Sequence, residues 1–259
     1  MILLLVSSKS MDFEPVVGLS TPPLTQPPFR KEARLLNERL KELSLEEIRK
    51  LMKISEKLAV QTRERIEAFS NQPGSRQTRA ACLAFTGDVY DGLDARAFDP
   101  STFERAQDHL RILSGLYGIL RPLDRIQAYR LEPGYRWAPT DGAASLSAFW
   151  KAKITDFLRA DLTALPESKR VIVDLASKEF TAMIDFKSLG VPVITPKFYE
   201  EKGGKLKMVT LYTKRARGAL AAHLLKEGDF SPASAHRFSE EGYCFDHGRS
   251  SQGEWVFTR

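Results

Sequence analysis

VITPKFYEEKGGKLKMVTLY, residues Val193–Tyr212, holds two extended apolar runs, Val193–Tyr199 and Lys205–Tyr212, joined through Glu201-Lys202-Gly203-Gly204. Paired glycines supply the positive φ of a tight turn, so the stretch predicts a β-hairpin. A hairpin set among strands that otherwise alternate with helices points to the α+β class, a mixed domain with a central sheet flanked by helices. Upstream, the short apolar run Val171–Val173 follows a basic turn and predicts an interior strand, as does Met1–Val6. Downstream, Lys214–Glu227 predicts a helix stopped by Gly228, and Trp255–Phe257 a last short strand.

The rest of the chain fits around this frame. Pro15, Pro22, Pro23, Pro27 and Pro28 exclude regular structure between residues 15 and 28. Phe29–Leu43 predicts a helix with a mixed-charge face. Ser44 with Glu47 is a capping-box pattern for the next helix, whose apolar side carries Leu45, Ile48, Leu51 and Met52; Ser55 begins another toward Phe69. Ser101 with Glu104 predicts a further capped helix ending at Ser114-Gly115, and Phe149–Leu165 one more, closed by Pro166. No internal repeat divides the sequence, so residues 1–259 are expected to form one domain.

Composition narrows the class. The chain has 259 residues, 42% hydrophobic and 28% charged, within the range of folded globular proteins. Cys82 and Cys244 are its two cysteines, too far apart in sequence to suggest a disulfide framework or zinc site. The apolar start is too short for a signal sequence or a membrane span, which predicts a cytoplasmic protein without a membrane partner. Lys plus Arg number 39 against 33 acids, for a net charge of +6. The surplus is concentrated: Lys202–Lys226 carries seven basic residues and no acid. That distribution favours a polyanionic partner. His109, His223, His236 and His247 stand at no metal-ligand spacing, and no cofactor or stoichiometric iron is expected.

Three places are candidates for chemistry. LSGLYGILRPLD (Leu113–Asp124) carries Gly115 and Gly118, which can form a tight turn between two helices. Such a helix-hairpin-helix-like element offers backbone N–H groups to a phosphate, with Arg111, Arg121 and Arg125 nearby. TKRARG (Thr213–Gly218) places Lys214, Arg215 and Arg217 at the expected start of a helix. Cations oppose the helix dipole there unless an anion is bound. The loops Ser7–Asp12 and Asp174–Glu179 follow two expected strands, where polar groups commonly line ligand crevices. Lys9 in the first loop is an anion clamp or an amine nucleophile.

Seven blocks resemble, in order, the YaaA peroxide-stress family: LMKISEKLA (Leu51–Ala59), FTGDVYDGLDA (Phe85–Ala95), HLRILSGLYGILRPLD (His109–Asp124), YRLEPG (Tyr129–Gly134), DLASKEF (Asp174–Phe180), YTKRARGALA (Tyr212–Ala221) and the tail from Phe238. The resemblance implies a cytosolic protein that protects DNA from hydrogen peroxide and lowers free intracellular iron. It also implies a helix-hairpin-helix, which by position falls on His109–Asp124. A basic cleft for duplex or branched DNA would draw on Lys9, Lys214, Arg215 and Arg217. The first loop departs from the family's usual S-P-A-K-T-L-D, Thr86 stands where a lysine is common, and Lys178 where an acid is. The residues leave a second class open: an enzyme acting on nucleobases or nucleic acid, of glycosylase or lyase type, using Lys9 with Asp174, Glu179 or Tyr243.

Overall fold

The computed structural model describes residues 1–14 and 18–259, so Pro15 lies outside the described residues. In chain order, the first half contains β1 (Ile2–Val6), α1 (Arg30–Lys41), α2 (Leu45–Met52), α3 (Glu56–Ala68), β2 (Arg79–Ala80), α4 (Ala81–Ala84), α5 (Asp88–Leu93), α6 (Pro100–His109), β3 (Leu110–Ser114), β4 (Gly118–Leu120) and β5 (Arg125–Ile126). The second contains α7 (Leu146–Thr163), β6 (Ile172–Asp174), α8 (Lys178–Thr181), α9 (Phe186–Leu189), β7 (Val193–Lys202), β8 (Lys205–Lys207), α10 (Thr210–Glu227), α11 (Pro232–His236), β9 (Cys244–Phe245) and β10 (Glu254–Thr258).

An eight-stranded sheet runs in the order β4-β3-β1-β6-β7-β10-β9, with β8 paired to β7. The mixed α and β architecture with helices around a central sheet is therefore as the sequence predicts. The hairpin between β7 and β8 is present, with Lys202 opposite Lys205. The run β3-β1-β6-β7-β10 is parallel throughout, and the edge strands β4 and β9 and the hairpin strand β8 are antiparallel. β1 lies between β3 and β6, with Leu3 opposite both Leu110 and Val173. A strand covered on both faces has no side that favours polar residues, which is why Ile2, Leu3, Leu4 and Leu5 follow one another, all buried.

The chain leaves β1 toward β3 on one side and leaves β6 toward β7 on the other. Connections diverging from adjacent parallel strands open a crevice beyond their carboxyl ends. The loops after β1 and β6 border that crevice.

Several boundaries depart from expectation. α6 is capped by Asp99, which accepts the Thr102 N–H at 2.6 Å, with Pro100 in the first turn; Ser101 is not the cap. The helix ends at His109. Leu110–Ser114 is instead a fully buried strand, pairing in parallel with β1 and antiparallel with β4. The helix-hairpin-helix expected at His109–Asp124 is thus a β-hairpin. Five successive buried residues satisfy a helix face and an interior strand equally well, and pairing with β1 decides for the strand. The acid-free segment also shifts: β8 stops at Lys207, and α10 begins at Thr210 rather than Lys214.

α5 and α10 cross with almost no side chain between them. A Cβ on Gly92 would lie 2.0 Å from the Arg215 carbonyl oxygen, and one on Gly218 would lie 1.8 Å from that of Val89. These glycines set how closely the two helices approach, and both helices contribute walls to the crevice. Gly218→Ala should destabilise the protein by at least the roughly 1–3 kcal/mol typical of overpacking. Gly142→Ala, where a Cβ meets nothing within 4 Å, is the control. Thermal unfolding of the two variants checks this; equal melting temperatures would contradict the close crossing.

Candidate functional site at the strand switch

The crevice is a cleft of about 480 Å³ lined by Ser7, Ser8, Lys9 and Ser10 after β1, Thr86–Tyr90, Glu132, Ser177, Glu179 and Phe180 after β6, and Lys214 and Arg217 of α10. Its volume falls within the roughly 300–1,000 Å³ of small-ligand sites.

Each wall is fastened by local bonds. The Tyr90 hydroxyl donates to the Val6 carbonyl at 2.9 Å, tying α5 to the end of β1. The Thr86 N–H donates to Ser10 O at 3.1 Å and the Asp12 N–H to Ala84 O at 2.8 Å, holding the first loop against the start of that wall. Asp12 also pairs with Arg96 at 2.9 Å; the Glu14 N–H, with Arg79 and Arg96, holds its carboxyl below the usual range. Across the cleft, the Gly134 N–H donates to Glu179 Oε1 at 3.0 Å. A Cβ on Gly134 would stand 2.5 Å from that oxygen, so glycine permits the contact that brings the Glu132 loop to the β6 loop.

Cations and acids meet here. Lys9 makes no hydrogen bond or ion pair among the described residues, and Lys214 approaches only Asp88, at 4.0 Å. Arg217 is half-buried, and its Nε has no hydrogen-bond partner. Burial lowers the Arg217 pKa, and the nearby Asp174 carboxylate partly restores it. Burial also pushes Asp174 up to about 6, against the Ala176 N–H and the charges of Arg217 and Lys197. Glu132 is 6% exposed, and its carboxylate makes no hydrogen bond among the described residues. Burial, aided by Glu179, raises it to about 7, while Lys9 and Arg130 pull it down.

Other candidates lie elsewhere. Arg111 is buried and donates through Nε to Asp161 Oδ2 at 2.6 Å, while Arg121 reaches Asp161 Oδ1 at 3.0 Å. Both guanidiniums are committed to the half-buried Asp161 carboxylate, whose loss would leave the buried Arg111 charge uncompensated. Gly115 and Gly118 are buried and offer no phosphate cradle. A Cβ would fall 2.1 Å from Leu131 O at the first and 2.6 Å from the Trp150 ring at the second, where φ is +71°. The Trp150 indole N–H donates to Gly115 O at 2.8 Å, so the glycines serve core packing. Arg125 is exposed but borders a shallow depression with Arg30 and Arg34, away from the cleft. Arg215 is held by Glu241 at 2.7 Å. Tyr243 donates its hydroxyl to Glu200 at 2.5 Å and does not line the cleft.

The sequence does not single out Glu132, and it predicts the helices on either side of Ser55 without pairing them as a hairpin. Glu132 sits in a block whose charge pattern is unremarkable, and only burial distinguishes it. A helical hairpin does occur, but between α2 and α3, where Lys53 adopts φ 51°, ψ 52° and Ser55 caps the second helix. The run Leu51-Met52-Lys53-Ile54-Ser55, with its cap, was the available signal. Lys50, Lys53 and Lys57 are exposed around it.

The model of the family described as peroxide stress protein YaaA matches residues 1–249. The chain belongs to the YaaA peroxide-stress family. It is 40% identical to a UPF0246 protein of Cupriavidus pinatubonensis and 41% identical to those of Cupriavidus metallidurans and Burkholderia mallei. Each match covers 100% of this chain and 98% of the relative. Among the described residues no helix is long and apolar enough to cross a membrane, and no group of three or more His, Cys, Asp or Glu is placed to hold a metal ion.

The Glu132 shift has a measurable consequence. Its pKa is raised from 4.5 to about 7, so ionising it opposes folding. That cost is absent below about pH 4.5, grows through the interval and is complete above about pH 7. Glu132→Gln should therefore match the parent's stability in acid and exceed it at pH 8, by up to roughly 3 kcal/mol. Denaturant titrations at pH 4.5 and 8 check this; a difference independent of pH, or of opposite sign, would contradict it.

Proposed function

We propose that this peroxide-stress family member is a DNA-binding protein that contacts backbone phosphates at the mouth of the switch-point cleft. The observation that supports this most is the convergence of Lys9, Lys214 and Arg217, from opposite ends of the chain, none of them hydrogen-bonded to a carboxylate among the described residues and only Lys214 within ion-pair distance of one, Asp88 at 4.0 Å. Cations with donors left over at one opening suit a polyanion, and contacts to phosphates supply affinity without reading bases. The dipole of α10 does not oppose Lys214 and Arg217, which lie beyond its first turn. The exposed α2–α3 hairpin with Lys50, Lys53 and Lys57 is a second surface suited to phosphates, leaving the same reading with a wider footprint. Protection from peroxide then follows from covering DNA, and any change in free iron is an indirect effect.

Affinity for unrelated duplexes should be similar and fall steeply with salt. Lys9→Gln, Lys214→Gln and Arg217→Gln should each reduce the slope of log K against log salt by about 0.9. Arg215→Gln should leave it unchanged, because that guanidinium is held by Glu241. Fluorescence anisotropy across a salt series measures this. Strong sequence preference, or a slope indifferent to all three cleft variants, would overturn the phosphate-contact reading of the cleft.

A further inference from the structure

The cleft is not uniformly basic. Asp88, Glu132 and Glu179 line it together with Lys9, Lys214 and Arg217. A surface made only to lie along a phosphate backbone gains nothing from those acids, and Glu132 is the least expected of them. It is a carboxylate 6% exposed, lining a cavity, with no hydrogen-bond partner among the described residues. Desolvating a carboxylate that accepts no hydrogen bond from the protein is costly, and a donor on a ligand in the cleft would offset that cost. The same cleft is lined by the hydroxyl residues Ser7, Ser8, Ser10, Thr86 and Ser177 and by Tyr90 and Phe180.

These groups describe a ligand with two ends. One end is anionic, for the cations Lys9, Lys214 and Arg217. The other presents hydrogen-bond donors to Glu132, has polar edges for the hydroxyls and a flat apolar face for the rings. A nucleotide has all of these: a phosphate, sugar hydroxyls, and a base with N–H groups and a π face. A cleft of about 480 Å³ has room for one small ligand and none for a duplex.

We propose that the switch-point cleft binds a single nucleoside monophosphate unit, its phosphate on Lys9 and Arg217 and a donor edge of its sugar or base on Glu132. The unit is either a free nucleotide or one swung out of a nucleic-acid strand. The inference rests on the phosphate-contact reading above for its anionic end and adds the occupant of the interior. The position of Glu132 near half-ionisation at neutral pH is consistent with this, since it can then accept or donate a hydrogen bond.

Calorimetry with the full chain at low salt tests it, using dAMP, dCMP, dGMP and dTMP, the four matching nucleosides and inorganic phosphate. At least one mononucleotide should bind ten-fold or more tightly than both its nucleoside and phosphate. Arg217→Gln and Glu132→Gln should each weaken that binding about ten-fold; the glutamine keeps the shape of the buried glutamate, and unfolding curves confirm that each variant is folded. A parallel titration compares a matched duplex with one carrying a single-nucleotide bulge. Excess affinity for the bulge that the mononucleotide competes away assigns the unit to a strand; mononucleotide binding without such excess assigns it to a free nucleotide. If the duplex binds but all four mononucleotides bind no better than phosphate, this inference falls and the phosphate-contact reading stands. If the duplex does not bind either, both fall. Unchanged mononucleotide affinity in folded Glu132→Gln would overturn the role given to that carboxylate.

Discussion

Everything in this fold is arranged around a five-residue strand paired in parallel on both edges, Leu3 meeting Leu110 on one side and Val173 on the other. This strand carries no polar group along its length, so the first polar residues of the chain emerge only at its carboxyl end. There the connections of β1 and β6 diverge, and the cleft opens between them. The position of Lys9 is thus a consequence of strand burial: the loop that carries it begins where the apolar run stops. A one-residue change of register would turn every side chain of β1 to the opposite face and rotate the start of that loop.

The second constraint is the glycine-mediated crossing of α5 and α10. Close approach brings Asp88 and Tyr90 of one helix to the same cavity as Lys214 and Arg217 of the other. Helix and strand elements with few degrees of freedom hold the Lys214, Arg217 and Asp88 side of the cleft, and Gly134 fastens the Glu132 loop by donating its N–H to Glu179. Rigid supports of this kind keep charged groups in place where side-chain entropy would otherwise disperse them.

Much of the frame was legible in the sequence because its signals are local. Ser44 with Glu47 forms both bonds of a capping box, Gly228 ends α10 in the left-handed region, and Gly203-Gly204 turns the β7–β8 hairpin. Leu110–Ser114 does not read as a strand because its apolar residues Leu110 and Leu113 continue the helical spacing of Phe103 and Ala106, and its partner strand lies a hundred residues away. The site was legible only in part. Loops after strands pointed to Lys9, and an acid-free segment pointed to Lys214 and Arg217, all of which line the cleft. Arg111 and Arg121 look equally available, yet Asp161, distant in sequence, neutralises both, Arg111 in the core and Arg121 near the surface. Glu132 could not be found at all, since what marks it is desolvation, a property of the assembled fold.

The central claim is that phosphate recognition sits at the strand switch, away from the glycines of the β3–β4 turn. Hydrogen-exchange mass spectrometry of the chain with and without a short duplex locates the contact directly. The account predicts slower exchange in residues 7–12, 86–90, 175–180 and 210–217, with any further protection at the α2–α3 hairpin. Protection confined to residues 115–125, or to the α2–α3 hairpin with the cleft segments unchanged, would contradict it.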